Sequence, residues 1–357
     1  MNKLTKQTIL VVAAVVVTIA LLLASCGQKP AAPAPTAPSG TKPAAPASTM
    51  KPIKLRYTGG LPPTHHMTVE QKWFAAEIAK RSNGLVTVDT YVGGELYDNA
   101  RTIDAVSTGA IEMGFTTGGM FSSRNPVHGF YNYFFMLAGT DHYEKVKDKL
   151  TTILGPLYEE LNVKLIHWFA YGDTGYAGNK PLVKPDDIKG VMIRGMNPET
   201  LASLKALGAV PASITESEVY DALSKKAIDG TLTGWSTMYS RKLYEVAKYF
   251  TGSWFASPWP FFINMDVWKQ LPPDVQKLIM DVAKEVEVMT FKQGRDYDKE
   301  SLDVLRKSGT LTILSPEQRT EWVKFVRPTY DEWLAKCDKA GYGKQARELM
   351  KMLDETR

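Results

Sequence analysis

The stretch that decides the fold is Lys184–Arg194, with the sequence KPDDIKGVMIR. Val191 and Ile193 alternate with Met192, and this period of two predicts a short strand after a glycine turn. Arg194 stands where that strand ends. In open α/β sheets the ligand crevice lies outside the carboxyl ends of the strands. A guanidinium there can hold a carboxylate or phosphate through two parallel hydrogen bonds. By position alone, a solvated or structurally paired arginine is the more common case.

The composition is that of a soluble protein with a sizeable core. The chain has 357 residues, of which 44% are hydrophobic and 23% charged; this length favours two lobes over one. The formal net charge of +5 falls to near +3 once Lys3 and Lys6 leave with the signal peptide predicted below. Acids and bases are evenly interleaved, so the charge does not indicate a nucleic-acid partner.

The amino terminus predicts export and a lipid anchor. Two lysines precede an uncharged apolar run over 9–23, which is short for a membrane span of about 20 residues and matches a signal-peptide core. The run leads into Leu-Ala-Ser-Cys at 23–26, which resembles a bacterial lipobox. We therefore predict a lipoprotein signal peptide over 1–25 and lipidation of Cys26. An uncleaved signal anchor with an incidental cysteine is the alternative.

A tether follows the predicted lipidation site. Residues 26–52 are rich in Ala, Pro, Ser and Thr, a composition that cannot bury a core and favours a semi-extended chain. Cys26 and Cys337 are the only two cysteines. With Cys26 lipidated, Cys337 has no partner and no disulfide is expected. The helical spacing of Cys337 after Trp333 and Leu334 predicts a small buried hydrophobe.

From Ile53 onward, strand and helix patterns alternate. Alternating apolar residues predict strands over 53–57, 85–91, 111–115 and 165–169. Thr68 and Gln71 suggest a capping box at the start of the first helix. The β-α-β-α-β order indicates a parallel sheet with helices on its faces. The aromatic run over 131–137 is interpreted as buried packing.

Later segments predict further helices. Helices are expected over 199–207 and 218–225, with Gly208 ending the first of them. Apolar residues at three- and four-residue steps over 275–289 predict a long amphipathic helix. A similar stripe near the end of the chain is expected to be core; it consists of Trp322, Phe325, Val326, Tyr330 and Trp333.

Sequence motifs for common catalytic and cofactor chemistry are absent. The chain contains no P-loop, dinucleotide-binding or H-E-x-x-H pattern and no G-x-S-x-G elbow. His65 and His66 are the nearest approach to a metal pair, but on a strand adjacent side chains point to opposite faces. No carboxylate stands at useful spacing, so we predict no metal and no cofactor. His66 could still hydrogen-bond a ligand, since the loop after a first strand faces the crevice.

Several short motifs after Arg194 are informative as an ordered set. They are ALGAVP at 206–211, EVYDAL at 218–223, IDG at 228–230, FFIN at 261–264 and WKQLPPDVQK at 268–277. In order and spacing the chain resembles the solute-binding receptors of tripartite ATP-independent periplasmic (TRAP) transporters, the C4-dicarboxylate-receptor-like family. The resemblance extends from about Ile53 to the region of Trp333. Each motif is weak alone, whereas the ordered set is specific.

The resemblance implies a fold and a function. The fold would be a two-lobed, periplasmic-binding-protein-like α/β architecture with a hinge and a long helix spanning both lobes. Lobe I would comprise 53–171 plus 260–300, and lobe II 172–259 plus 301–357. The protein would be an exported, lipid-anchored receptor facing the periplasm or cell exterior, which captures a small organic acid and delivers it to a TRAP permease. The alternatives are a surface-anchored enzyme acting on an acidic small molecule and a sensor-type binding protein.

The resemblance also implies site residues. Arg194 matches the arginine of the family's Lys-Gly-x-x-x-Arg motif, which grips the substrate carboxylate. The other implied cleft positions are Gly60, Asp98, Thr117, Thr174, Glu216 and Thr233. Thr174 stands where sialic-acid receptors carry a second arginine, which argues for one carboxylate anchor. Gly234 stands where some members carry a glutamate that binds a bridging metal.

Each of these positions has a structural alternative. Asp98 could cap a helix, Thr117 and Thr174 could satisfy backbone groups, and Glu216 could be a solvated acid. Trp235 follows a glycine, so we expect it outside the helical core, with its face able to stack on a flat substrate. Further aromatic residues could extend that surface: Trp168, Tyr171, Tyr239, Trp254 and Trp259.

Overall fold

The protein is represented by a computed structural model, which describes residues 51–356. The predicted signal peptide, Cys26 and nearly all of the tether therefore lie outside the described residues. Between 51 and 356, no helix combines the length and apolar character needed to cross a bilayer.

The described chain alternates strands and helices much as the sequence predicts. The strands are β1 (Ile53–Gly59), β2 (Val86–Tyr91), β3 (Met113–Phe115), β4 (Val163–Gly178), β5 (Met192–Arg194), β6 (Val210–Ala212), β7 (Gly230–Gly234), β8 (Tyr249–Asn264) and β9 (Thr310–Ile313). The α-helices are α1 (His66–Arg81), α2 (Asn99–Ser107), α3 (Thr140–Glu159), α4 (Pro198–Ala206), α5 (Val219–Ser224), α6 (Trp235–Ser240), α7 (Met265–Gln270), α8 (Pro273–Ser308), α9 (Pro316–Lys339) and α10 (Gly343–Thr356).

The strands form one continuous sheet in the order β2-β1-β3-β8-β4-β7-β5-β6, with β9 beside β8. β1 is parallel to both β2 and β3, which confirms the parallel β-α-β-α-β start. β5 is likewise parallel to β6 and β7. The two 16-residue strands β4 and β8 run antiparallel through the middle and join these parallel groups.

β4 continues further than the sequence suggests. The predicted strand ended at Phe169, but β4 extends to Gly178 through a shift in its register with β8 between Ala170 and Asp173. Gly172 has a φ of +96°, in the left-handed region that glycine tolerates. The irregularity lies where the chain is predicted to pass between lobes, although the predicted lobe boundaries stay predictions.

Helix α8 supports this irregular part of β4. It is 36 residues long, so the predicted long amphipathic helix is confirmed. Its side chains accept hydrogen bonds from three backbone N–H groups of β4. The pairs are Trp168 with Glu287 at 3.2 Å, Ala170 with Thr290 at 3.1 Å, and Asp173 with Asp298 at 3.1 Å. The bonds to Ala170 and Asp173 serve the backbone donors on either side of the point where the pairing of β4 with β8 is interrupted.

The start of α1 differs from the prediction. The helix begins at His66, and the ring of His65 accepts the Met67 N–H at 3.3 Å. Thr68 and Gln71 therefore do not cap it, and Gln71 Nε2 donates instead to the Tyr57 carbonyl at 2.9 Å. The two histidine rings stack at 4.5 Å. They are not on opposite faces, because they belong to a helix start rather than a strand.

The predicted core is largely confirmed. The side chains of 131–137 are buried, as is Cys337. In α9 the residues Trp322, Val326, Tyr330 and Trp333 are buried, but Phe325 is 43% exposed. Including Phe325 in that stripe was wrong, because it lies on the outer side of the helix.

Candidate functional site

A small cavity of about 50 Å³ lies where β5 ends beside the middle of β4 and β8. Its lining comes from both predicted lobes. The lining residues are Asn99, Thr117, Met120, Tyr171, Arg194, Met196, Asn197, Glu216, Thr233, Ser257 and Trp259. Five of the ten predicted ligand-binding residues are thus brought together: Arg194, Glu216, Thr233, Thr117 and Tyr171.

Arg194 is placed in the cavity by its position at the end of β5. It pairs with Thr231 of β7 and Ala212 of β6 in parallel register, and only 7% of it is exposed. Its Nε donates to the Ile214 carbonyl at 3.1 Å, while neither Nη group has a hydrogen bond to the described residues. Among residues 51–356 no carboxylate lies within 4.0 Å of the guanidinium. Burial lowers the pKa of Arg194, and nearby Glu216 raises it; the group stays a cation.

Asn197 adds a directed donor three residues later. It is the N-cap of α4, and its Oδ1 accepts the Thr200 N–H at 3.0 Å. That bond fixes the amide orientation, because only a carbonyl oxygen can accept. The opposite Nδ2 is buried without a hydrogen-bond partner. The sequence Asn-Pro-Glu-Thr at 197–200 indicates a helix start, and its closeness to Arg194 is a signal from which this missed site residue could have been found.

Glu216 is the acid of the cavity, and it is paired. Its Oε1 accepts from Arg241 Nε at 3.1 Å. The two side chains are 28% and 27% exposed. No sequence pattern pointed to Arg241, because it directly follows α6 and meets Glu216 only through the fold.

An aromatic wall borders the cavity. Tyr171 and Trp259 stack with ring centroids 5.0 Å apart and planes at 18°. The Tyr171 hydroxyl contacts Thr237 and lies 3.4 Å from Thr233 Oγ1. Burial raises the pKa of Tyr171 to about 12, so the phenol is neutral. Trp259 Nε1 is buried without a hydrogen-bond partner.

The other polar residues of the cavity come from the segment after β3, the start of α2 and β8. Thr117 Oγ1 lies 3.4 Å from Ser257 Oγ. Asn99 Oδ1 is buried and has no hydrogen bond. Gly60 lies against Asn99, since a Cβ at Gly60 would overlap that oxygen. Gly60 thus leaves room for a lining residue without itself lining the cavity.

Asp98 and Thr174 are not placed in the cavity. Asp98 is exposed, accepts the Arg101 N–H at 2.9 Å as the N-cap of α2 and pairs with the Arg101 side chain. The cavity-lining residue is its neighbour Asn99. Thr174 is fully buried on β4 opposite Gly234, and its hydroxyl has no hydrogen-bond partner.

Trp235 and His66 also lie elsewhere. Trp235 begins α6 in a buried apolar cluster, packed over Gly175 and Gly252; the expectation that it stands outside the helical core was wrong. It borders a separate cavity of about 480 Å³ beside Asp298. His66 Nε2 lies 3.0 Å from the Ala170 carbonyl.

The remaining aromatic candidates are also distributed away from the cavity. Trp168 and Trp254 are core residues. Tyr239 donates to Glu300 at 3.2 Å. The predicted aromatic surface is therefore reduced, at this cavity, to Tyr171 and Trp259.

Comparison with known proteins agrees with this architecture. The family model DctP, described as bacterial extracellular solute-binding protein, family 7, matches residues 59–336. The chain is 28% identical over 290 residues to the C4-dicarboxylate-binding periplasmic protein DctP of Rhodobacter capsulatus, covering 79% of this chain and 86% of that protein.

Solved structures show the same two-lobed fold. A TRAP periplasmic solute-binding protein from Ochrobactrum anthropi superposes with a TM-score of 0.80 at 24% identity, covering 86% of this chain and 97% of that one. The sugar acid binding protein DctPAm of Advenella mimigardefordensis, in complex with galactonate, gives 0.78 at 23% identity, covering 86% and 100%. The chain therefore belongs to bacterial extracellular solute-binding protein family 7, the solute-binding receptors of TRAP transporters.

Proposed function

We propose that this receptor captures a small organic acid by its carboxylate and that Arg194 is the anchor. The observation that carries the proposal is a buried guanidinium whose Nη groups have no hydrogen bond to the side chains that the structure describes. A buried cation without an anion is costly, and a carboxylate in the cavity would complete it with two charge-assisted hydrogen bonds.

The other unpartnered atoms support the same position for the ligand. Asn197 Nδ2, Trp259 Nε1 and Asn99 Oδ1 are buried polar atoms without hydrogen bonds, and all three residues line the cavity. Other buried polar atoms without a partner occur elsewhere in the described residues, for instance Trp322 Nε1 and the ring nitrogens of His167, so the convergence of three of them on one cavity is what supports a ligand there. A polar ligand would pair them, so the three residues are further candidate contacts beyond those predicted.

The acid would be passed to a TRAP permease by a receptor tethered to the membrane through lipid on Cys26. An enzyme is the less favoured alternative, because catalysis on an acid bound at Arg194 would need an unpaired acid or base beside it. Asp98 caps a helix and Glu216 is paired with Arg241. A sensor-type receptor would use the same cavity. Loss of uptake on deleting a partner permease, with the receptor intact, would favour transport.

Native mass spectrometry of the purified receptor tests the ligand proposal. We expect a bound acid that is released on denaturation, and calorimetry with that acid should give a single site. Arg194→Ala protein prepared in the same way should carry no acid. Recovery of a cation or a neutral compound in the cavity would contradict the proposal, as would conversion of the acid to a product during incubation.

Mass spectrometry of the mature protein from membranes tests the anchor. We expect an acylated amino-terminal Cys26. Cys26→Ala should leave the precursor unacylated and poorly released from its signal peptide. A mature protein that starts at another residue or carries no acyl chains would contradict the anchor.

A further inference from the structure

Three charged groups determine the electrostatics of the cavity. Arg194 and Glu216 are the only charged residues among those that line it. Arg241 lies directly behind Glu216 through the 3.1 Å ion pair. Two arginines and one glutamate leave a net charge of one positive unit.

The titratable aromatic groups beside the cavity, Tyr171 and the stacked rings of His65 and His66, add no charge. Burial lowers the pKa of His66 to about 4 and lowers that of His65 well below its ordinary value. Both rings are therefore neutral at pH 7. Tyr171 is neutral as well, because burial raises its pKa to about 12. The net charge of one positive unit at the cavity is therefore unchanged by the two histidines and Tyr171.

A largely buried cavity with one positive unit is neutralised by one negative charge. We infer that the ligand is a monoanion, and that Glu216 selects against a second carboxylate while accepting a hydrogen bond from a hydroxyl or amide N–H of the ligand. This inference rests on the proposed binding of an acid at Arg194.

The Oε2 atom of Glu216 is the group that would repel a second carboxylate and accept a hydrogen bond from the ligand. Oε1 is occupied by Arg241, whereas Oε2 has no hydrogen bond to the described residues. An ionised carboxylate only accepts hydrogen bonds. A second ligand carboxylate placed against Oε2 would be repelled, while a donor would be stabilised. Asn99 Oδ1 is a second free acceptor in the cavity.

The predicted ligand of this chain differs from the ligand class in the name of one relative. The Rhodobacter capsulatus protein is named for C4-dicarboxylates. For this chain the charge balance instead predicts that an acid with one carboxylate and a neutral polar end binds better than the matching diacid.

Matched pairs of acids test the inference without changing ligand size. We would titrate succinate against succinamate, glutarate against glutaramate and phthalate against phthalamate at pH 7.5 by calorimetry. Each half-amide replaces one carboxylate by a carboxamide, which carries N–H donors. Juxtaposed like charges are strongly unfavourable, so we expect the half-amide of any pair that binds to be preferred by about tenfold or more.

Glu216→Gln supplies the decisive variant. It removes the repelling charge, so the preference for the half-amide should fall to about threefold or less or reverse. Asp221→Asn, an equal charge change at a 71% exposed side chain of α5, should retain the wild-type preference. Thermal melts of both variants would establish that they are folded.

The possible results distinguish a failure of the monoanion inference from a failure of acid binding itself. A wild-type preference for the diacid, or a half-amide preference that survives Glu216→Gln unchanged, would overturn the monoanion inference and leave acid binding intact. If no acid of either kind binds to the wild-type protein, both the proposed function and the inference are overturned.

Discussion

Arg194 and Glu70 are two buried ionisable side chains that lack a counterion in the described part of the chain, and their surroundings resolve this in different ways. Glu70 lies on α1 and is fully buried; Thr290 is its hydrogen-bonding neighbour, and it has no ion pair with the described residues. Burial raises the pKa of Glu70 to about 8, so at neutral pH it mostly keeps its proton. Arg194 is similarly buried, but a guanidinium cannot lose its proton.

The difference indicates which buried charge marks a binding site. The region around Glu70 becomes neutral by taking up a proton from solution. The charge of Arg194 can be neutralised only by an anion from outside, and a cavity of about 50 Å³ lies beside it. An unpaired ionisable group is therefore informative about ligands when its charge is permanent.

The largest expected effect comes from removing that permanent charge. Arg194→Ala should weaken binding of the acid by about thirtyfold to several-thousandfold, since losing one partner of a buried charge pair costs about 2–5 kcal/mol. Arg194→Lys keeps the charge but loses the planar fork, so its loss should be smaller. Calorimetry on the purified variants measures both.

Arg56→Ala is the matched control for this loss. Arg56 also lies on a strand, but it pairs with Glu112 at 2.8 Å and its side chain is 41% exposed. Its removal should leave the dissociation constant near that of the wild type. Near-wild-type affinity in a folded Arg194→Ala protein would show that Arg194 is not the carboxylate anchor.

Glu70→Gln tests the other side of the comparison through the pH dependence of stability. Below about pH 4.5 Glu70 is protonated in both the folded and unfolded states. Between the ordinary pKa and the folded pKa of about 8, only the folded state keeps the proton. The free energy of unfolding therefore falls as pH rises through this window. The fall should be on the order of a few kcal/mol.

The Gln variant cannot ionise, so it should lose most of this decrease. Urea unfolding at pH 5, 7 and 9 measures it. Glu77→Gln, on the same helix but paired with Lys80 and Arg81, should retain the decrease. If the wild-type and Glu70→Gln curves run parallel across this range, Glu70 does not carry a retained proton.

The smallest effect on binding is expected at Asp98. This position distinguishes a residue that caps a helix from one that contacts the ligand. Asp98→Ala removes the N-cap of α2 and should lower the free energy of unfolding by about 0.5–2 kcal/mol. It should leave binding unchanged, because the side chain is exposed. Asn99→Ala should instead weaken binding with little loss of stability. Thermal melts and calorimetry on the pair distinguish the two, and weaker binding by Asp98→Ala would return it to the site.

The sequence was a good guide wherever one local pattern determines the structure. Alternation over 53–57 predicted β1, and the Gly190 turn before Val191 predicted the strand that positions Arg194. The cap signals were less decisive. Thr68 and Gln71 fit a capping box, yet the ring of His65 caps α1 and Gln71 bonds to β1. Tertiary hydrogen bonding decided between two possible starts.

The parts of the site that the sequence missed depend on distant residues meeting. Arg241 and Glu216 are 25 positions apart, and no periodicity links them. Trp235 had the right residue type for a binding surface, but Gly175 and Gly252 provide the space in which its ring is buried. Asp98 was one residue from the cavity-lining Asn99. Resemblance to a family identifies the loop, whereas the side chain that reaches the cavity depends on the local backbone.

A crystal structure of the receptor with its co-purified acid tests the central claim most directly. The account predicts the ligand carboxylate in the cavity, with its two oxygens about 2.7–2.9 Å from Arg194 Nη1 and Nη2. An acid bound with its carboxylate elsewhere, and Arg194 left without an anion, would contradict it.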